Sequence, residues 1–116
     1  MLHELRVYEI APGQMQTVVH RFESVILGLF KKHGIRPMSF WLPVIGESNQ
    51  LIYLLEWDSL AEREQRWDAF AGDPEWLAFR AEGMKNGPLT LRITNKILRE
   101  VPSLKAKLQE LAEPRH

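Results

Sequence analysis

Two neighbouring apolar runs in the middle of the chain constrain the fold more than any other feature. They are IRPMSFWLPVI (35–45) and QLIYLLEW (50–57). Both alternate as β-strands do, yet both sides of the alternation are apolar. In the second run, one side consists of Tyr53, Leu55 and Trp57. The other side consists of Ile52 and Leu54. A sheet built from such strands needs cover on both faces.

The same two runs are expected to pair as a β-hairpin. The four residues GESN (46–49) separate them, and a connection of that length suits a hairpin. Pro43 has no N–H to donate to a neighbouring strand, so the first run is expected at an edge of the sheet.

Two further strands flank this hairpin in the sequence. Residues 4–10 (ELRVYEI) alternate Leu5 and Val7 against Arg6 and Tyr8. Residues 86–98 (NGPLTLRITNKIL) begin with a turn and then alternate in the same way. The sequence therefore predicts four strands in all.

Helical periodicity fills the gaps between the strands. From Met15 to Lys32 the apolar residues recur every three or four positions, and Gly34 suits the end of that helix. Ser59 followed by Glu62 resembles a capping box, which predicts a second helix from about residue 60. Gly72 breaks this helix, because Asp73 and Pro74 are typical of the start of a new one.

Residues 63–79 (REQRWDAFAGDPEWLAF) are dense in aromatic side chains. Such a density is typical either of a binding site or of a core. The broken helix must cover the sheet, so we interpret these aromatic residues as core packing.

The element order predicts an α+β fold of the ferredoxin-like βαββαβ type, with an antiparallel four-stranded sheet, over residues 1–99. Residues 100–116 are predicted to form a C-terminal tail with a short amphipathic helix. Both crossover helices must lie on one face of the sheet. The other, apolar face needs a partner, and a second copy of the chain can supply it. We therefore expect a homodimeric α+β barrel.

Several motifs, taken in order over residues 4–98, resemble the NIPSNAP family. They are ELRVYEIAPGQM, FKKHGIRPMSFWLPVIG, LIYLLEWDSLAERE and DPEW. The resemblance implies a dimeric α+β barrel, the architecture that the residue patterns predict separately. It implies no defined reaction.

The polar residues of the strands suggest a ligand site. If Leu5 and Val7 face the helices, Arg6 and Tyr8 face the barrel interior, and alternation would place Arg92 and Thr94 beside them. A site of this kind suits a small carboxylate or phenolate on an apolar body. The predicted ligand-binding residues are Arg6, Tyr8, Trp41, Tyr53, Trp57 and Arg92. The alternative is structural, with the arginines paired to Glu9, Glu56 or Asp58.

Residues 56–59 (EWDS) also resemble the end of the third strand of small monooxygenases with the same barrel. By this resemblance, Trp57 takes the place of their pocket tryptophan. The heme-degrading members use an asparagine on the first strand and a histidine on the second helix. This chain has Arg6 or Tyr8 at the first position and no histidine between His33 and His116, so heme degradation is disfavoured.

Composition excludes several other classes of function. Lysine plus arginine equals aspartate plus glutamate at 15 each, so we expect neither nucleic acid nor a membrane as a partner. The chain has no cysteine, which fits a reducing compartment, and we expect a cytoplasmic protein. We expect no metal, because the histidines lack ligand spacing, and no cofactor, because no GxG motif is present. The four histidines are His3, His20, His33 and His116.

Two hypotheses about function follow. In the first, the dimer binds a small aromatic or carboxylate-bearing molecule, with cofactor-independent oxygenase or isomerase chemistry as its enzymatic form; no catalytic residue is assigned. In the second, the barrel interior is filled by side chains and the protein is an interaction or assembly module. A cavity of about 300 Å³ or more would favour the first hypothesis.

Overall fold

The computed structural model describes residues 1–112 and has an α+β fold built on one antiparallel four-stranded sheet. The strands are β1 (Leu2–Ile10), β2 (Arg36–Trp41), β3 (Gln50–Trp57) and β4 (Thr90–Arg99). Their order across the sheet is β2-β3-β1-β4. This order is that of the ferredoxin-like fold, as predicted.

The first helix is continuous but not uniform. It consists of α1 (Met15–Arg21), a π-helical segment (Phe22–Ile26) and α2 (Leu27–Lys32). The remaining helices are α3 (Leu60–Ala71), α4 (Pro74–Gly83) and α5 (Pro102–Ala112). The apolar spacing predicts an α-helix throughout residues 15–32, so the π-helical segment was missed. No helix within residues 1–112 is long and apolar enough to cross a membrane.

The predicted helix starts are confirmed by their hydrogen bonds. At the start of α3 the Ser59 hydroxyl accepts from the backbone N–H of Glu62 at 3.1 Å. The Glu62 carboxylate accepts from the N–H of Asp58 at 3.4 Å, one residue before the position expected for a capping box. At the start of α4 the Asp73 carboxylate accepts from the N–H of Glu75 at 2.8 Å. The helix therefore breaks where the sequence predicts.

The connection within the hairpin is longer than predicted. Strand β2 ends at Trp41, so residues 42–49 all belong to the loop. Pro43 lies in this loop rather than in the strand. The edge position of β2 is nevertheless confirmed by the strand order.

The faces of β1 and β3 are the reverse of the prediction, whereas Arg92 and Thr94 of β4 lie on the predicted face. The face that the helices cover carries Arg6, Tyr8 and the buried residues Tyr53, Leu55 and Trp57. Leu5 and Val7 lie on the opposite face with their cross-strand partners Leu54 and Ile52. Arg6 is on the covered face because its charge is paired there and its guanidinium lies 4.4 Å from the ring centroid of Trp67 on α3.

The aromatic residues of the broken helix pack onto the core, as predicted. Phe70 is buried, with its ring 5.2 Å from that of Phe30 and 4.8 Å from that of Trp76. Trp67 and Phe79 are partly buried against the same cluster. Aromatic rings at these separations contribute to stability beyond the area they bury.

Candidate functional site

Three of the predicted site residues form one hydrogen-bonded group under the helices. Arg6 Nε donates to the Tyr53 hydroxyl at 2.9 Å, and Arg6 Nη2 donates to the Tyr8 hydroxyl at 3.3 Å. The two tyrosine hydroxyls are 2.7 Å apart. Neighbouring strands hold this group together, because Arg6 lies directly opposite Tyr53 in the sheet.

Glu4 lies at the centre of a larger network and was not predicted from the sequence. Its side chain is fully buried. It accepts five hydrogen bonds: from Arg6 at 2.9 Å, Trp57 at 3.0 Å, Asn95 at 2.9 Å, and Arg63 at 2.7 and 3.1 Å. One feature of the sequence could have revealed it: Glu4 is spaced by two residues from Arg6 on β1, so it lies on the same face as Arg6 and Tyr8.

The network keeps Glu4 ionised. Burial raises the pKa of this carboxyl, but the hydrogen bonds from Arg63, Asn95 and Trp57 outweigh burial and lower the pKa to about 2. Burial likewise raises the pKa of Tyr53, well above its usual value. Arg6 is therefore one partner of a buried ion pair. The alternative interpretation, that the arginines are paired with acidic residues, therefore holds for Arg6. Its partner, however, is Glu4 and not Glu9, Glu56 or Asp58.

Trp41 and Arg92 lie outside this group. Trp41 is paired with Ile52, and Arg92 is paired with Glu9, so both belong to the face that the helices leave open. Both were expected on the face away from the helices and lie there, whereas Arg6, Tyr8 and Tyr53 face the helices instead. Phe40, stacked on Tyr53 with centroids 4.7 Å apart, takes the place predicted for Trp41, and Asn95 takes the place predicted for Arg92.

A cavity of about 400 Å³, here called the Tyr8 cavity, lies between the β1–β4 side of the sheet and the helices α1 and α4. Its apolar wall includes Phe22, Ile26, Trp76 and Leu89. Arg21 and Arg80 also line it, and Arg92 borders it from strand β4; among the described residues no acidic residue lines it. Among the predicted site residues, Tyr8 and Arg92 border this cavity, whereas Arg6, Trp41, Tyr53 and Trp57 do not.

The π-helical segment shapes this cavity. Phe22 and Ile26, its first and last residues, are both buried and both line the wall. A π-helical turn places one more residue in the turn than an α-helix does, and such turns are frequent at functional sites. The irregular segment of the first helix thus coincides with the cavity.

The burial of Tyr53 decides which of the two tyrosine hydroxyls donates to the other. The Tyr53 oxygen accepts from Arg6, and its own buried proton needs an acceptor. Among the described residues the Tyr8 oxygen, 2.7 Å away, provides that acceptor. Tyr8 then accepts from both Tyr53 and Arg6, which leaves its hydroxyl proton free to bind an oxygen atom in the cavity.

The described histidines are dispersed. His33 Nε2 lies 2.6 Å from the Asp73 carboxylate, His3 lies 3.9 Å from that of Glu56, and His20 is exposed. Within residues 1–112 no group of three or more His, Cys, Asp or Glu side chains could hold a metal ion. His116 lies outside the described residues.

The fold and cavity define a ferredoxin-like α+β protein with a pocket between one face of its sheet and its helices. Within that class the family is specific, because the NIPSNAP family profile matches residues 3–105. The chain therefore belongs to the NIPSNAP family, as the sequence motifs predict.

Solved structures agree with this assignment. Protein Atu4242 from Agrobacterium tumefaciens is 24% identical, with a TM-score of 0.78 and coverage of 87% of this chain and 94% of that chain. A NIPSNAP-like domain protein from Burkholderia xenovorans is 25% identical, with a TM-score of 0.78 and coverage of 86% of this chain and 84% of that chain.

More distant structures share the fold alone. A putative antibiotic biosynthesis monooxygenase from Nitrosomonas europaea is 6% identical, with a TM-score of 0.60 and coverage of 87% of this chain and 99% of that chain. The search of curated proteins gave no match. The comparisons therefore define the family and the architecture, and the chemistry has to be argued from the site.

Proposed function

We propose that this protein is a homodimeric α+β barrel in which each protomer binds a small anionic aromatic molecule in the Tyr8 cavity. The observation that carries the proposal is the cavity itself. It has about 400 Å³ of space, an apolar wall, Arg21 and Arg80 with no acid among the described lining residues, and one tyrosine hydroxyl. Pockets of this size with few polar groups are typical of small-molecule sites.

The wall of the cavity specifies the kind of ligand. Phe22, Ile26 and Trp76 offer apolar and aromatic surface to a ring system. Arg21 and Arg80 favour a carboxylate or phenolate, because a guanidinium binds such groups through charge-assisted hydrogen bonds. A neutral aliphatic ligand would gain no such hydrogen bond.

An enzymatic form of the proposal depends on Tyr8. A phenol proton held against a ligand oxygen stabilises negative charge that develops on that oxygen, as in an enolate or phenolate. Arg6 strengthens this effect because its cation donates to the Tyr8 oxygen. Isomerase or cofactor-independent oxygenase chemistry on an enolisable aromatic compound would use this arrangement.

The dimer is supported by the open face of the sheet. Leu5, Val7, Ile52 and Leu54 lie there, and no helix of the described chain covers that face. An apolar sheet face of this extent is typical of an interface between subunits.

The proposal is tested by thermal shift and tryptophan fluorescence with a panel of aromatic carboxylates and phenols. A ligand that binds the native state must raise the melting temperature. Because Trp76 lies in the cavity wall, binding should also change its fluorescence. We expect Tyr8→Phe to weaken binding by roughly tenfold, the value of one hydrogen bond to a charged group. Ile26→Trp, which fills the cavity, should abolish binding. Tyr53→Phe removes a hydroxyl of the same network but leaves the cavity wall intact, so it should cause a smaller loss.

If no compound in the panel shifts either signal, or if Ile26→Trp binds as well as the wild type, the ligand proposal is wrong. The competing function, an assembly module, would then be favoured. In that function a partner would bind to α5, whose leucines Leu104, Leu108 and Leu111 are exposed.

A further inference from the structure

A second cavity of about 410 Å³ adjoins the Tyr8 cavity and is here called the Lys85 cavity. It lies between the β1–α1 turn and the connection from α4 to β4. The two cavities share four wall residues: Arg21, Gly83, Pro88 and Leu89. The two cavities are therefore adjacent, with these residues between them.

Arg21 stands at the boundary in a fixed position. Its Nη2 donates to the backbone carbonyl of Phe79 at 2.9 Å, and its Nη1 donates to the Glu82 carboxylate at 3.3 Å. Its guanidinium also lies 3.8 Å from the centroid of the Phe79 ring. Gly83 makes this position accessible, because a side chain at residue 83 would collide with the guanidinium.

The two cavities differ in chemistry. The Tyr8 cavity is mainly apolar, whereas the Lys85 cavity is lined by Gln14, Thr17 and Asn86 together with charged residues. Its charged lining consists of Arg21 and Lys85 against a single acid, Glu82, and Glu82 is already in contact with Arg21. The Lys85 cavity therefore favours a polar group with negative charge.

We propose that the ligand is an aromatic compound with a flexible chain that ends in an anionic group. The ring system occupies the Tyr8 cavity, the chain passes Arg21, and the anion binds beside Lys85 with hydrogen bonds from Thr17 or Asn86. This inference rests on the proposed function, since it assumes that the Tyr8 cavity binds the aromatic part. It adds a second binding site and defines the substrate class more narrowly.

Three probes separate the two sites: 2-naphthol, 4-(2-naphthyloxy)butanol and 4-(2-naphthyloxy)butanoate. Their dissociation constants are measured by calorimetry and tryptophan fluorescence. We expect the butanoate to bind roughly tenfold more tightly than the butanol, because its carboxylate gains a charge-assisted hydrogen bond. Lys85→Ala should remove most of this preference and leave the affinity for 2-naphthol unchanged. Lys107→Ala, with the same change of charge on the exposed helix α5, should keep the preference.

Gly83→Ala provides a second test that leaves every charge in place. The new methyl group must displace Arg21, so it should reduce the preference for the butanoate as Lys85→Ala does. Circular dichroism and melting temperature confirm that both variants fold. If 2-naphthol binds but the butanoate shows no preference, or if the preference survives in both variants, the second site is wrong and the proposed function stands. If none of the three probes binds, both the second site and the proposed function are wrong.

Discussion

At the scale of single residues, Glu4 is the most constrained side chain of the site. A buried carboxylate is costly unless its oxygen atoms are fully hydrogen bonded. Glu4 meets that condition with donors from three strands and a helix, namely Arg6, Trp57, Asn95 and Arg63. Its role is to fix Arg6, which in turn holds the hydroxyls of Tyr8 and Tyr53.

Glu4→Gln should therefore destabilise the protein strongly. The change keeps the shape of the side chain but leaves the charges of Arg6 and Arg63 without their partner. We expect the free energy of unfolding to fall by about 3 kcal/mol or more, as when one member of a buried ion pair is removed. Urea denaturation measures this loss. Glu64→Gln, on the exposed side of α3, should change stability by less than about 0.5 kcal/mol. A loss in Glu4→Gln as small as that of this control would show that the network contributes little.

The same carboxylate predicts a dependence of stability on pH. The pKa of Glu4 falls from 4.5 to about 2 on folding, so the folded state binds its proton less tightly than the unfolded state. Its contribution to stability is present above pH 4.5 and is lost as the pH falls toward 2. Unfolding measured across this range should show a steeper decline in the wild type than in Glu4→Gln. Parallel declines would mean that Glu4 is not the group responsible.

At the scale of elements, the break between α3 and α4 is fixed by side chains that cap helices. Asp73 caps α4 and also binds the end of the first helix, through Lys32 at 2.8 Å and His33 at 2.6 Å. These bonds lower the pKa of Asp73 below its usual range, with the bonds from Lys32 and His33 as the main causes. Among the residues that the structure describes, Ser59 caps α3 without any such additional partner.

This difference predicts unequal effects of removing the two caps. Ser59→Ala should cost about 1 kcal/mol, the usual value of an N-cap. Asp73→Ala should cost more, because it also separates α4 from the end of the first helix. Thermal unfolding of the two variants measures the difference. Asp73→Asn is the informative comparison, since it keeps an N-capping side chain but removes the charge. Equal losses in Ser59→Ala and Asp73→Ala would mean that the contacts with Lys32 and His33 contribute nothing.

The sequence was sufficient to predict the helices and strands, but not to predict which face of the sheet the β1 side chains occupy. Periodicity and capping residues are local, so they predicted four strands, the broken helix and the tail helix. The face of β1 depends on whether the charges of Glu4 and Arg6 find partners, and those partners, Arg63 and Asn95, are 59 and 91 residues from Glu4 in the chain. Polar residues were therefore assigned to the wrong side.

Arg92 is separated from Arg6 and Tyr8 for the same reason. It lies opposite Glu9, on the face away from the helices that the alternation of β4 predicts, whereas Arg6 and Tyr8 face the helices. The π-helical segment escaped prediction likewise, because its apolar residues keep the spacing of an α-helix.

At the scale of the whole molecule, the open face of the sheet is the surface at which we expect the chain to assemble. Leu5 and Leu54 form one cross-strand pair on this face, and Val7, Ile52 and Trp41 form a row beside it. Within residues 1–112 the helices cover only the opposite face, so burial of this one by helices of that range is not available and a second molecule can supply it. A two-fold axis lets the same surface serve both subunits.

We therefore expect the protein to sediment as a dimer of two 13.5 kDa chains. Leu54→Glu should convert it to a monomer, because the face-to-face geometry would bury two uncompensated carboxylates near the axis. Leu77→Glu is the matched control: residue 77 is an exposed leucine on α4, away from the open face, so the dimer should persist. Sedimentation velocity over a range of concentrations distinguishes the species. A wild-type chain that sediments at 13.5 kDa throughout, or a Leu54→Glu variant that stays dimeric, would show that the open sheet face is not the subunit interface.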